Sequence, residues 1–188
     1  MKRSAQDHRG NAGVPTDPAL IARPLDFICE DHFRERQFCA EIDRLAATAD
    51  FDRRSGMTVL RFLNEEVKVH IRDEAEDLFP ILLLRCTEED AIETVLDRIR
   101  HLTAALSLLA VVRSAIVACL DTGAALSVTD RTALTRFAGH VRRHLVAENA
   151  ILLPIARARL TRGDLRLLAE RMRSRRGPSR LSAASHAE

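Results

Sequence analysis

Apolar residues recur at steps of three to five positions along most of the chain, which is the spacing of one buried face of an α-helix. Polar breaks interrupt this pattern over 47–56, near Thr87 and over 121–123. The spacing predicts four long helices and a short fifth, over 24–45, 60–84, 88–120, 128–160 and 164–173. Four long helices with short connections favour an all-α, antiparallel up-down-up-down four-helix bundle.

Particular residues mark the predicted helix ends. Thr87 is predicted to cap the third helix, and Ser127 or Thr129 the fourth, since their hydroxyls can accept from free amides of the first turn. Pro80 and Pro154 are predicted to kink or end the helices that contain them.

The two ends of the chain differ from the middle in composition. Residues 1–22 are rich in Gly, Pro and polar residues, so we expect them to be disordered. Residues 23–162 form the predicted four-helix domain, and residues 163–188 a short helix with a basic tail. Nine arginines lie within 157–180, which indicates either a solvated tail or a docking patch for an acidic partner. No aromatic residue lies between these arginines, so nucleic acid is not an expected partner.

Overall composition excludes several classes of protein. The 188 residues carry 29 basic and 27 acidic side chains, a net charge of +2 that calls for neither nucleic acid nor membrane. No apolar run reaches the roughly 18 residues of a membrane span. The N-terminal stretch lacks the apolar core of a signal peptide, so we expect a cytoplasmic protein. The chain has no Tyr and no Trp, which excludes a tyrosyl radical or a phenolate ligand.

One phrase occurs twice in the chain. Residues 70–80 read HIRDEAEDLFP and residues 144–154 read HLVAENAILLP. Each phrase has His first, Glu four positions later, Leu after eight and Pro after ten. Positions i and i+4 lie one turn apart on the same helix face, so each phrase offers an imidazole and a carboxylate together.

The two other long helices each carry a histidine near the middle, His32 and His101. In an antiparallel bundle, His32 and His70 both lie about 22–24 Å from the turn between their helices, at 1.5 Å per residue. The same measurement places Glu74 level with His101, about 17–20 Å from their turn. We therefore expect four histidines and two glutamates to converge in the bundle core.

Four imidazoles and two carboxylates suit iron, manganese or zinc. Each carboxylate can bridge two metal ions, each ion then takes two histidines, and coordination positions remain open for a small molecule. The candidate ligands are His32, His70, Glu74, His101, His144 and Glu148.

This pattern resembles the hemerythrin-like, HHE cation-binding domain family. The resemblance is carried by the two HxxxE phrases with their matched Leu and Pro, by Asp31–His32 and by the lone His101, and it spans about 24–160. It implies a four-helix bundle with a carboxylate-bridged centre of two non-haem iron ions. The histidines would be terminal ligands, and Glu74 and Glu148 would bridge.

The resemblance also bounds the expected function. It implies binding or sensing of oxygen, nitric oxide or peroxide, or stress protection. The alternatives are a repair or detoxification enzyme and a zinc-holding or metal-free structural bundle. Oxygen-carrying hemerythrins commonly pair two histidines on the third helix, whereas His101 has Asp97 and Ala105 one turn away. The count of four histidines is closer to iron–sulfur-cluster repair proteins of the same superfamily.

Several other polar residues are expected to lie near the candidate ligands. His140 lies one turn before His144, and we expect it beside the open position rather than on the metal. Asp31, Asp97 and Asn149 are candidates to orient the histidines, because a metal-bound imidazole usually donates its other N–H.

Overall fold

The structure, a computed structural model, describes residues 15–183, except for the side chains of 92, 96, 98–106 and 178–183. This part of the chain is almost entirely helical and contains no strand. It forms eight α-helices: α1 (Pro24–Ala47), α2 (Arg53–Phe62), α3 (Lys68–Arg72), α4 (Phe79–Arg85), α5 (Ile92–Thr122), α6 (Val128–Ala147), α7 (Leu153–Arg159) and α8 (Arg162–Ala183). None of the described helices is both long and apolar enough to cross a bilayer.

Three π-helical segments join the shorter helices into longer ones: π1 (Leu63–Val67), π2 (Asp73–Leu78) and π3 (Glu148–Leu152). Residues 53–85 therefore form one continuous helix, and residues 128–159 another. Together with α1 and α5 they make the helical bundle that the sequence predicts. The all-α class is confirmed, whereas the alternating direction of the helices and the domain boundaries stay predictions.

The two prolines of the repeated phrase follow the π-helical segments π2 and π3, whose turns are wider than those of an α-helix. Segments π2 and π3 each end two residues before a proline, Pro80 or Pro154. A proline inside a helix has no N–H to donate, and its ring crowds the carbonyl four residues earlier. A π turn, with its i→i+5 bonds, is a local departure that accommodates such a conflict. The helices thus continue past both prolines, although an end at these positions was one expectation.

The predicted helix caps are largely present. Ser127 and Asp130 form a capping box at the start of α6, and Gly123 ends α5 with a left-handed φ of 73°. Thr87 also forms a capping box, with Asp90, but it begins a short 3-10 turn (Glu88–Asp90). Helix α5 then starts at Ile92, four residues later than the expected start.

The described side chains form two apolar clusters in the core. One contains Phe38 and Phe62, whose rings stack with centroids 3.6 Å apart. The other contains Leu78 and Leu152. Along α1 the clusters are separated by the residues around His32, and the two HxxxE phrases separate them in the same way on their own helices. A buried polar layer therefore crosses the bundle between two apolar ones.

Both ends of the described chain pack against the bundle. A 3-10 turn (Pro18–Ala22) buries Ile21 completely, within the segment expected to be disordered. Residues 1–14 and 184–188 lie outside the described residues. Helix α8 is interrupted at Gly177, where φ is 66°, so its first part ends a few residues beyond the predicted 164–173. This part buries Leu168 and Met172 in the second apolar cluster.

Arginines of α8 bind acidic side chains of π2. Arg175 contacts Asp73 and lies 2.6 Å from Asp77, whose other oxygen is 2.7 Å from Arg171. Arg176 lies 2.7 Å from Asp73. Asp73 and Asp77 are buried, and the side chains of Arg175 and Arg176 are largely covered, so the ion pairs of these two arginines are shielded from water. At least three of the arginines in the basic region thus have acidic partners within this chain.

Replacing Arg175 should destabilise the protein. Arg175→Met leaves two buried carboxylates with one arginine each, and breaking a buried pair costs about 3–5 kcal/mol. We expect a value near the lower end of that range from urea unfolding of the apoprotein, because Arg171 and Arg176 remain. Arg166→Met, at an exposed position of α8, is the matched control and should change stability by less than about 0.5 kcal/mol. Equal effects of the two substitutions would contradict the assigned role of Arg175.

Candidate metal centre

Four of the predicted ligands meet in the polar layer. His32 on α1, His70 on α3, Glu74 in π2 and Glu148 at the start of π3 place their ligand atoms within 4.8 Å of one another. All four side chains are buried, with at most 3% of their surface exposed. These four residues therefore form a buried His/Glu cluster that could bind a metal ion.

His144 lies beside this cluster. Its Nε2 is 2.9 Å from Glu148 Oε1 and 3.4 Å from Glu74 Oε2. The side chain of His101 lies outside the described residues, so its role as a ligand stays a prediction. His140 is half-buried and is not among the clustered donors.

The two glutamates each face two groups of histidines. Glu74 presents Oε1 to His32 at 3.3 Å and to His70 at 3.1 Å, and presents Oε2 to His144. Glu148 presents Oε2 to His32 at 3.4 Å and Oε1 to His144. Each carboxylate thus spans from the His32–His70 side to the His144 side, as a bridging ligand requires.

Several of these atoms approach one another without forming hydrogen bonds. Both nitrogens of His70, Nδ1 of His144 and both oxygens of Glu148 are buried and have no hydrogen-bond partner among the described residues. His70 Nε2 nonetheless lies 3.1 Å from Glu74 Oε1, and Glu148 Oε1 lies 2.9 Å from Nε2 of His144. Atoms that converge without pairing fit a shared metal ion, which would satisfy them together.

Two polar neighbours lie beside the imidazole nitrogens that face away from the carboxylates. Asn149 Oδ1 lies 3.0 Å from Nδ1 of His32 and can accept its N–H, which leaves Nε2 facing the carboxylates. Asp31 Oδ2 lies 3.6 Å from Nδ1 of His70, and Asp31 is itself held by Thr16. Two of the three expected orienting residues are therefore next to a ligand. The third, Asp97, is exposed.

Burial and opposite charge act against each other in the apoprotein. Burial lowers the pKa of His70, but Glu35 and Glu74 outweigh it and hold the pKa well above the ordinary value. Burial likewise lowers the pKa of His144, but Glu148 and Glu74 raise it to about 10. Burial raises the pKa of Glu74, but the surrounding histidines hold it well below the usual range. Without metal, the surrounding carboxylates therefore favour the protonated forms of His70 and His144.

One buried acid near the cluster was not predicted from the sequence. Glu35 is 6% exposed, and its Oε1 lies 3.6 Å from Nε2 of His70. It follows His32 by three residues, so both side chains lie on the inward face of α1. That spacing is visible in the sequence, but Glu35 is not part of the repeated phrase.

Comparison with known proteins identifies a family for most of the chain. The model of the family described as hemerythrin HHE cation binding domain matches residues 23–156. These residues include every histidine and glutamate of the predicted ligand set. No curated protein matches the chain significantly.

Loss of the Asn149 amide should weaken metal binding. Asn149→Leu removes the acceptor for Nδ1 of His32, and loss of such a partner typically costs about 10–100-fold in metal affinity. Asn149→Asp keeps an acceptor oxygen and should retain most of the affinity. Competition with a chelator measures both variants, and equal affinities for Asn149→Leu and the parent protein would contradict the role of Asn149.

Metal binding should release protons. The pKa values of His70 and His144 lie well above the ordinary value, so these rings hold protons at neutral pH, whereas a metal ion binds the neutral ring and competes with the proton. The apparent affinity should therefore rise with pH until it passes about 10, the pKa of His144. Calorimetry in buffers of different ionisation enthalpy counts the protons released at neutral pH. Binding without proton release would show that the histidines are not the ligands.

Proposed function

The chain belongs to the hemerythrin HHE cation-binding domain family, and from that premise we propose that it is a cytoplasmic non-haem di-iron protein that binds or senses oxygen, nitric oxide or peroxide. The observation that supports a centre of two ions is the double-sided placement of Glu74 and Glu148. Each offers one oxygen to His32 and the other to His144. A single ion would not need carboxylates that span two histidine groups.

The residues divide naturally between two ions. His32 and His70 would hold one, and His144 with the predicted ligand His101 would hold the other. Glu74 and Glu148 would link them. Iron bound there supplies a change of oxidation state and open coordination positions for a small molecule.

The protein's own residues would prepare this site. Asn149 can accept the N–H at Nδ1 of His32, on the side of the ring that faces away from the cluster, and Asp31 lies 3.6 Å from Nδ1 of His70. The apolar clusters on both sides keep bulk water from the polar layer, which strengthens electrostatic interactions within it. The chain has no Tyr or Trp, so no phenol or indole stands ready to be oxidised by a bound ligand.

The alternative is a repair or detoxification enzyme built on the same centre. It would consume peroxide or nitric oxide rather than bind a small molecule reversibly. Rapid mixing of the iron-loaded protein with excess peroxide or nitric oxide separates the two. Recovery of the starting spectrum on removal of the gas indicates binding, and continued consumption indicates turnover.

Iron content and optical absorption test the proposal directly. We expect two iron ions per chain and new near-ultraviolet bands that change when oxygen or nitric oxide is added. The apoprotein should barely absorb at 280 nm, since it lacks Trp and Tyr. Glu74→Ala should lose both ions, because its carboxylate faces both histidine groups, whereas His70→Ala should weaken one ion more than the other.

Circular dichroism of each variant checks that the fold is retained. Less than half an iron per chain together with stoichiometric zinc would contradict the di-iron proposal. Equal loss of both ions in Glu74→Ala and His70→Ala would contradict the bridging role.

A further inference from the structure

The buried acids of this protein fall into two groups by the cations that contact them. Asp73 and Asp77 pair with arginines of α8. Glu35, Glu74 and Glu148 form no ion pair with an arginine or a lysine in the described part of the chain, and their cationic neighbours there are histidines. Glu35 thus shares the surroundings of the two predicted bridging ligands rather than those of the structural ion pairs.

Glu35 points to the His70 side of the cluster. Its Oε1 is 3.6 Å from His70 Nε2, and the same nitrogen is 3.1 Å from Glu74 Oε1. One ring nitrogen carries at most one proton, so it can serve both carboxylates only through a shared hydrogen bond. It forms no hydrogen bond with either. A cation between the three groups would satisfy all of them.

The position of Glu35 on α1 supports the same arrangement. His32 and Glu35 are three residues apart, so α1 directs both side chains into the polar layer. Next along this face comes Phe38, which belongs to an apolar cluster. Glu35 is therefore the last polar residue before the apolar core, where a carboxylate without a cation is costly. Burial raises its pKa, which reflects that cost.

We propose that Glu35 is a third carboxylate ligand, bound to the ion that His32 and His70 hold. This inference rests on the di-iron function proposed above. That ion would have five protein ligands, His32, His70, Glu35, Glu74 and Glu148. The ion beside His144 would have four if His101 binds it. The unequal sets direct a small molecule to the His144 side, and three carboxylates favour iron or manganese over softer metals.

Titration with Co²⁺ tests the proposal, because the absorption of this ion reports its coordination. The full chain is titrated in competition with a chelator, as the parent protein and as Glu35→Gln, which keeps the shape and removes the charge. We expect one of the two binding steps to weaken by more than about 100-fold, beyond the loss typical of an orienting partner. The visible bands of that ion should shift, and the other step should stay unchanged.

The control is Glu41→Gln, on the same helix. Glu41 pairs with Arg44 at the surface, so neither step should change. A second variant, Glu35→Leu, separates a metal ligand from a structural acid. It should weaken the same binding step, while urea unfolding of the apoprotein measures the structural effect of losing the carboxylate.

The outcomes distinguish the two proposals. If the parent protein binds fewer than two Co²⁺ ions, the di-metal function fails. If it binds two, and Glu35→Gln leaves both steps and the spectrum unchanged, the Glu35 assignment alone is overturned. The same holds if Glu35→Leu destabilises the apoprotein without affecting either binding step.

Discussion

The buried carboxylates of this protein must be compensated by cations, and the structure depends on which cations, arginines or histidines, contact each of them. Removing a carboxylate from water costs several kcal/mol unless a cation or hydrogen bonds replace the water. Around π2 the chain uses two solutions on neighbouring faces of one helix. The buried Asp73 and Asp77 face the arginines of α8, and Glu74 faces three histidines. A metal-binding layer can therefore lie inside an otherwise apolar bundle.

The two solutions are connected through Asp31. This carboxylate lies 3.6 Å from His70 and 3.9 Å from Arg176, and it accepts a hydrogen bond from Thr16. Arg176 in turn lies over the ring of Phe27, with its guanidinium carbon 4.6 Å from the ring centroid. The C-terminal helix and the segment before α1 thus both contact a residue that lies beside a predicted ligand. The region that composition alone marked as a tail is part of the support of the site.

The sequence predicted the parts that depend on local spacing. Apolar periodicity located the long helices, and the HxxxE phrase placed His70 with Glu74 and His144 with Glu148. The arginine partners could not be predicted, because charge runs do not say whether the opposite charge belongs to the same chain. Glu35 was missed because a single buried acid on a helix face resembles a solvated one until the packing is known. The π turns also have a signal in the sequence, the constant spacing of four residues in each repeated phrase, but this spacing by itself looks like that of an ordinary α-helix.

That spacing explains why the wide turns are there. In a regular α-helix, positions four apart drift by about 40° per step, so a series of them leaves the inward face. Yet His144, Glu148, Leu152 and Ala156 are all buried at a constant spacing of four, as are His70, Glu74, Leu78 and Leu82. The extra residue taken up by each π turn cancels this drift. If the residues of π2 or π3 formed regular α turns instead, the C-terminal part of each helix would rotate by about 100° relative to the ligands, so these π turns are as much a part of the site as its side chains.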